Sequence, residues 1–234
     1  MIRVKKLCQL RLDLHVHTVF SGDSINDLDD IIRYVKLRKL DGIAITDHNT
    51  VEGALSFQKA INKIIVIPGI EVSTSKGHIL GLNVTEVIPK GLDPVETVDL
   101  IHEAGGIAVM AHPFAIHKHS LRENPISSKL KLDAIEVINS SVFPFYPLHL
   151  LSKRLASKLR LPQTGGSDSH FPETIGLAYT LINAQPRIDN IILAIKKGRT
   201  EAKGRPIPIT LRFKQLTKNS RAKSFRAGKV QGQR

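Results

Sequence analysis

Residues 42–71 read GIAITDHNTVEGALSFQKAINKIIVIPGIE, and this stretch sets the architecture. The runs Ile43-Ala44-Ile45 and Ile64-Ile65-Val66-Ile67 are apolar without alternation, which suits strands covered on both faces. Between them, Thr50 to Asn62 has the length and the mixed face of a surface helix. The same alternation extends in both directions. Further strands are expected over Leu10–His17, His78–Val84, Gly106–Ala111, Leu132–Ile138, Leu161–Gly165 and Gly176–Ile182, with helices over Asp27–Arg38, Pro94–Glu103, Tyr146–Lys158 and Arg187–Lys197. Repeated strand–helix units predict an α/β fold built on a parallel sheet, and their number predicts a barrel. The expected organisation is one barrel domain over residues 1–211 and a basic tail over 212–234.

Bulk composition narrows the classes. The chain of 234 residues suits one large domain. Its formal net charge of +13 is unevenly placed: residues 203–234 hold ten Lys or Arg and no acid, which leaves 24 basic against 21 acidic groups elsewhere. A nearly balanced body with a basic tail attracts polyanions through the tail alone. Solubility or nonspecific contact is the plainer role for it, and an acidic membrane surface would also fit. Cys8 is the only cysteine, so an internal disulfide and a thiolate zinc site are both excluded. No run of about 18 apolar residues occurs, and a soluble, cytoplasmic protein is expected.

Residues able to bind metal recur after successive expected strands. His15 and His17 lie two apart, so in a strand both imidazoles face one side. A lone His-x-His is more often structural. Asp168 and His170 repeat the spacing behind Gly165-Gly166 at the other end of the chain, and two such pairs reverse the odds. Asp47-His48 ends Gly-Ile-Ala-Ile-Thr, where a barrel gathers its functional groups at the carboxyl ends of strands. Asp47 is read as the cap of the following helix and His48 as a ligand. Glu71 ends Val-Ile-Pro-Gly-Ile, where a buried carboxylate requires a cation or donors. His112 precedes Pro113, and Asp23 follows the first strand in Ser-Gly-Asp-Ser. His102 and His149 fall in helical patterns and are left as surface or packing residues.

Taken in order, Asp-Leu-His-Val-His-Thr with Ser-Gly-Asp, Ile-Thr-Asp-His-Asn-Thr, Pro-Gly-Ile-Glu-Val-Ser, His-Ile-Leu-Gly-Leu-Asn, Ala-His-Pro and Gly-Ser-Asp-Ser-His resemble the motifs of the PHP (polymerase and histidinol phosphatase) family over residues 10 to 182. The resemblance implies a distorted seven-stranded β/α barrel with two or three divalent cations at the carboxyl ends of its strands. It carries metal-ligand roles onto His15, His17, Asp23, His48, Glu71, His112, Asp168 and His170. The sixth strand departs from the histidinol phosphatase branch, offering Glu136 or Asn139 in place of a histidine. The segment around His78 looks more like the branch that removes phosphate from nucleoside 3′,5′-bisphosphates and trims short oligonucleotides. His78 is assigned to metal or to phosphate.

What the family implies is phosphate monoester hydrolysis on a nucleotide or small metabolite, with a metal-bridging hydroxide as nucleophile. Glu71, Asp168 and His78 are the expected catalytic centre. Glu71 would bridge two ions near His15, His17, Asp168 and His112, while Asp23, His48 and His170 hold a third. Imidazoles and carboxylates suit Mn, Zn or Fe, and Mg is compatible with the oxygen-rich position. Lys118 and His119, in an expected loop over 114–131, are candidate contacts for the substrate phosphate. Three rival readings follow: a 5′-3′ exonuclease on short RNA or DNA guided by the tail, a histidinol phosphatase, and a non-catalytic nucleic-acid-binding protein. The completeness of the ligand set opposes the last.

Overall fold

The computed structural model describes residues 8–60, 64–116, 120–121 and 130–215. Among these, nine strands are β1 (Cys8–Val16), β2 (Gly42–Ile45), β3 (Ile65–Thr74), β4 (Gly77–Leu82), β5 (Ile107–Met110), β6 (Ala134–Asn139), β7 (Gln163–Gly166), β8 (Ala178–Ala184) and β9 (Thr200–Gly204). The helices are α1 (Leu28–Leu37), α2 (Glu52–Ala60), α3 (Pro94–Glu103), α4 (Phe145–Leu159) and α5 (Ile188–Lys196). Local chemistry fixes several ends. Asp27 caps α1 by accepting from Asp30 N, and Asp93 caps α3 by accepting from Val95 N with Pro94 in the first turn, satisfying donors that a helix start leaves unpaired.

All strands join one sheet in the order β7-β6-β5-β4-β3-β2-β1-β8-β9. The barrel-type α/β fold is as expected, but the sheet is mixed where a parallel one was anticipated, and it holds nine strands against the eight read from the residues and the seven implied by the resemblance. Pairs β1–β2, β2–β3, β5–β6 and β6–β7 are parallel, whereas β3–β4, β4–β5, β1–β8 and β8–β9 are antiparallel. A parallel crossover needs a dozen or more residues. Only a short turn separates Thr74 from Gly77, so β4 must fold back on β3. Strand β9 escaped sequence reading because it is a polar edge strand in which only Ala202 is buried.

The two halves of the sheet meet where β7 ends. Asp168 N donates to His15 O at 2.8 Å and His17 N to Ser169 O at 3.0 Å, with a parallel bridge between Val16 and Ser169. Gly166 permits this approach, since a Cβ there would lie 2.3 Å from His15 Cβ. What the position requires is space. Leu12, Leu14, Ile67, Leu80 and Val109 pack with Ile191 and Ile195 of α5, while Ile43, Ile45 and Val16 pack with Ile31, Val35 and Phe57 of α1 and α2. Each such burial stabilises by roughly 1.5–3 kcal/mol. Both faces of the central strands are therefore covered, as their unbroken apolar runs foretold.

Beyond β9 the chain returns over the barrel. Ile207 N donates to Ser140 O at 3.1 Å, and residues 209–215 form a helical segment. No described helix is long and apolar enough to cross a membrane.

Candidate metal centre

The carboxyl ends of the parallel strands deliver His15 and His17 from β1, His48 beyond β2, Glu71 from β3, His112 beyond β5, and Asp168 and His170 beyond β7. His78 opens β4 and reaches the same end because β4 is antiparallel, paired there with Ser73 of β3. Asp23 arrives from the loop after β1. Thus all nine of these expected site residues converge. Lys118 and His119 lie outside the described residues.

Glu71 is the hub. Its Oε2 stands 3.4 Å from His15 Nε2, 3.2 Å from His17 Nε2 and 3.1 Å from His48 Nδ1, while Oε1 stands 3.0 Å from His78 Nδ1 and 2.9 Å from His112 Nε2. Asp168 Oδ1 lies 3.8, 3.5 and 3.5 Å from nitrogens of His15, His17 and His170. Asp23 Oδ2 faces Nε2 of His170 at 3.1 Å and of His48 at 3.4 Å. Three trios, His15 with His17 and Asp168, His17 with His48 and His170, and His48 with Glu71 and His78, each hold their ligating atoms within 4.8 Å of one another.

The donor set fits divalent cations on two grounds. First, His15 Nε2 and His17 Nε2 point at each other across 3.1 Å, and His15 Nδ1 faces Glu136 Oε1 at 3.0 Å. An ionised carboxylate only accepts, so Nδ1 carries a proton and Nε2 faces the cluster. That carboxylate–imidazole arrangement orients metal-binding histidines. Second, the centre calls for positive charge. Burial works against charge on His15, yet Glu136, Asp168 and Glu71 raise its pKa well above the usual imidazole value. Burial likewise opposes ionisation of Glu71 and Asp23, but His15 and other histidines around Glu71, and His170 with His48 around Asp23, hold both carboxyls well below their ordinary range. A proton or a metal ion can supply that charge. The several imidazole and carboxylate atoms at one point favour a metal.

Glu136 and Asn139 form a support beneath the cluster. Glu136 Oε2 accepts from His112 N at 2.8 Å and from Asn139 Nδ2 at 2.9 Å, and the same Nδ2 lies 3.1 Å from Asp168 Oδ2. Buried Asp13 ties β1 to the segment after β7 by accepting from Ser167 N and Gly176 N, each at 2.8 Å. Burial pushes its carboxyl up to about 6 against the pull of these donors. Sequence reading missed Asp13; the available signal was a charged residue inside a strand of apolar neighbours.

One expectation is corrected. Asp47 does not cap α2; its carboxylate accepts from Thr18 N at 2.6 Å and Thr18 Oγ1 at 2.7 Å. Burial against the turn that follows His17 gives it a pair of donors closer than the helix start offers. It thereby fixes the exit of β1, and Gly53 makes room, since a Cβ there would meet Asp47 Oδ2 at 2.0 Å. Backbone strain also concentrates here. His112 and Asp168 take positive φ of 31° and 54°, a left-handed conformation costing L residues about 1–2 kcal/mol. His102 pairs with Asp133 at 2.7 Å, and His149 bonds to Val137 O at 2.7 Å; both partners lie outside the cluster.

A family model described as PHP-associated matches residues 148–200. An uncharacterised protein of Methanocaldococcus jannaschii is 36% identical over 143 residues, which cover 56% of this chain and 82% of that protein. A crystal structure of a two-domain protein containing a predicted PHP-like metal-dependent phosphoesterase, from Bacteroides vulgatus, superposes with a TM-score of 0.72 at 19% identity, covering 85% of this chain and 66% of that one. The lesion-specific endonuclease of Pyrococcus furiosus superposes with a TM-score of 0.63 at 18% identity, covering 83% of this chain and 58% of that one. The chain therefore carries a PHP-associated segment over residues 148–200 and shares its fold with PHP-like metal-dependent phosphoesterase structures.

Proposed function

We propose that the protein hydrolyses phosphate esters at the cluster around Glu71, with a monoester on a nucleotide or small metabolite as the first substrate class. The observation that carries this reading is one buried carboxylate within 3.4 Å of five histidines. His15, His17, His48, His78, His112, His170, Glu71, Asp23 and Asp168 are the residues that would hold two or three divalent cations. Such ions lower the pKa of water and offset charge developing on phosphoryl oxygens. The chain's own part is preorganisation. Glu136 keeps the Nε2 edge of His15 turned inward; Asn139 holds Asp168 through Oδ2 so that Oδ1 faces His15, His17 and His170. Ser21 Oγ accepts from His48 N and meets His17 Nδ1, both at 2.9 Å, which couples two ligands through one hydroxyl.

A second reading is a nuclease acting at the same cluster. The basic C-terminal chain favours it, because its helical segment sits on the loop after Asn139. Histidinol phosphate is disfavoured as substrate, since the sixth strand offers Glu136 in a supporting position where that branch has a ligand histidine. The test is a panel with Mn added, comparing nucleoside 3′,5′-bisphosphate, histidinol phosphate, short RNA and short DNA. Phosphate release from mononucleotides alone would reject the nuclease. Asp168→Ala is expected to abolish turnover with its circular dichroism unchanged, and absence of turnover on every compound by the native chain would overturn the proposal.

A further inference from the structure

Strands β7 and β9 end the sheet at its two sides, and its curl brings them next to each other. Helix α4 packs on β6 and α5 on β8, and no described helix crosses from β7 to β9. In place of a ladder, Thr200 Oγ1 of β9 donates to Gln163 O of β7 at 2.8 Å. A groove of about 710 Å³ stays open there, a size that suits a small molecule. Three elements aim cations into it: Lys153 and the cap residue Arg160 from α4, Lys196 and Lys197 from the end of α5, and Lys203 from β9. Glu201 is the one acid in this lining.

Glu201 pairs with Lys203, and Asp133, outside the groove, pairs with Lys196 at 3.3 Å. Among the described residues, no acid pairs with Lys153, Arg160 or Lys197. Taken singly, such cations have ordinary explanations: a base near a helix C-terminus offsets the dipole, and a lysine on an edge strand discourages pairing with another chain. The helix ends here are already capped by backbone. Arg160 N and Leu161 N meet Ser157 O and Ala156 O, while Lys197 N, Gly198 N and Arg199 N meet the carbonyls of Leu193, Ile195 and Ala194. Lys153 stands half-buried in the middle of α4, away from either end. Neither explanation accounts for five cations meeting in one concavity, where like charges repel until an anion joins them.

We propose that the groove between β7 and β9 binds a small molecule carrying two or more phosphoryl groups. A phosphoryl group brings nearly two negative charges and three acceptor oxygens; the fork of Arg160 suits them bidentately, and the lysines supply point charges. A monoanion would leave most of the charge unmet. A polynucleotide calls for cations strung along a surface, whereas these converge. None of the lining residues belongs to the cluster around Glu71, and Gln163 opens β7 whereas Asp168 follows its other end. The site is therefore separate from the phosphoester chemistry and does not depend on that reading.

The test is isothermal titration calorimetry of the full chain in EDTA and roughly 0.15 M KCl, which screens diffuse attraction, with inorganic triphosphate and orthophosphate as probes. Triphosphate is expected to bind about tenfold tighter than orthophosphate or better, the worth of one added charge-assisted contact. Lys153→Gln combined with Lys197→Gln should weaken it about 100-fold, and Arg160→Gln about tenfold, with circular dichroism unchanged. Lys153→Arg combined with Lys197→Arg should keep the affinity. Hydrolysis of p-nitrophenyl phosphate with Mn should be the same in all of these variants as in the native chain. Triphosphate binding that survives the paired glutamines and Arg160→Gln would place the anion elsewhere and overturn the proposal. So would equal affinity for triphosphate and orthophosphate, or loss of hydrolysis along with binding, which would make the groove part of the cluster's own substrate path. A single strand of about twelve nucleotides that binds tighter than triphosphate, and depends on the same lysines, would replace the small molecule by a polynucleotide.

Discussion

Glu136 illustrates how much of the centre is built by residues that face away from it. One carboxylate oxygen meets His15 Nδ1 and the other accepts from His112 N and Asn139. In Glu136→Gln an NH2 group replaces one of these acceptors and confronts a donor. Affinity for Mn should fall by about 10–100-fold, as when the outer partner of a ligand histidine is removed, read by metal titration; unchanged affinity would show that His15 is oriented by something else. Asp47 makes a different prediction. Asp47→Ala strands the buried Thr18 N–H and hydroxyl, and urea unfolding should register a loss of about 1–3 kcal/mol. A negligible loss would return Asp47 to the role of a dispensable turn residue.

The strand ends carry what the sequence could tell and what it could not. His-x-His at 15–17, Asp-x-His at 168–170, Asp47-His48 and Glu71 stood out because each ended an apolar run, and the barrel brings them together for the reason that made them visible. Glu136 sits in an apolar strand too, yet nothing local tells a supporting carboxylate from a ligand; only the direction of the side chain does. Asp47 fitted a helix cap by type and position, and a contact with Thr18, 29 residues away, overrode that local preference. The mixed sheet was partly legible, since the gap between β3 and β4 is too short for a crossover, whereas polar β9 gave no signal. Gly166 sits at the junction these strands share. Gly166→Ala places a Cβ 2.3 Å from His15 Cβ and 2.8 Å from Glu136 Oε1, so β7 must move away from β1. A stability loss of about 1–3 kcal/mol, the usual cost of overpacking, should accompany weaker metal binding in the same variant; loss of stability alone would separate barrel closure from the centre.

Across the whole molecule, a mixed sheet curls until its first strand and its seventh meet, and four of the candidate ligands, His15, His17, Asp168 and His170, lie along that seam. Closure and cation binding should therefore be coupled. Ions that bind only the folded chain stabilise it by mass action, so adding excess EDTA to Mn-loaded protein should lower Tm by several degrees and Mn should restore it, read by calorimetry. In the segment beyond β9, Arg212 donates to the carbonyls of Ser140, Ser141 and Val142 on the loop after β6. The most direct measurement is the metal content of the full chain, loaded with Mn, passed through metal-free buffer and analysed by inductively coupled plasma mass spectrometry. More than one ion per chain is expected, falling sharply in Glu71→Ala. A native chain that retains no metal, or a Glu71→Ala variant that retains as much as the native chain, would contradict a centre organised around Glu71.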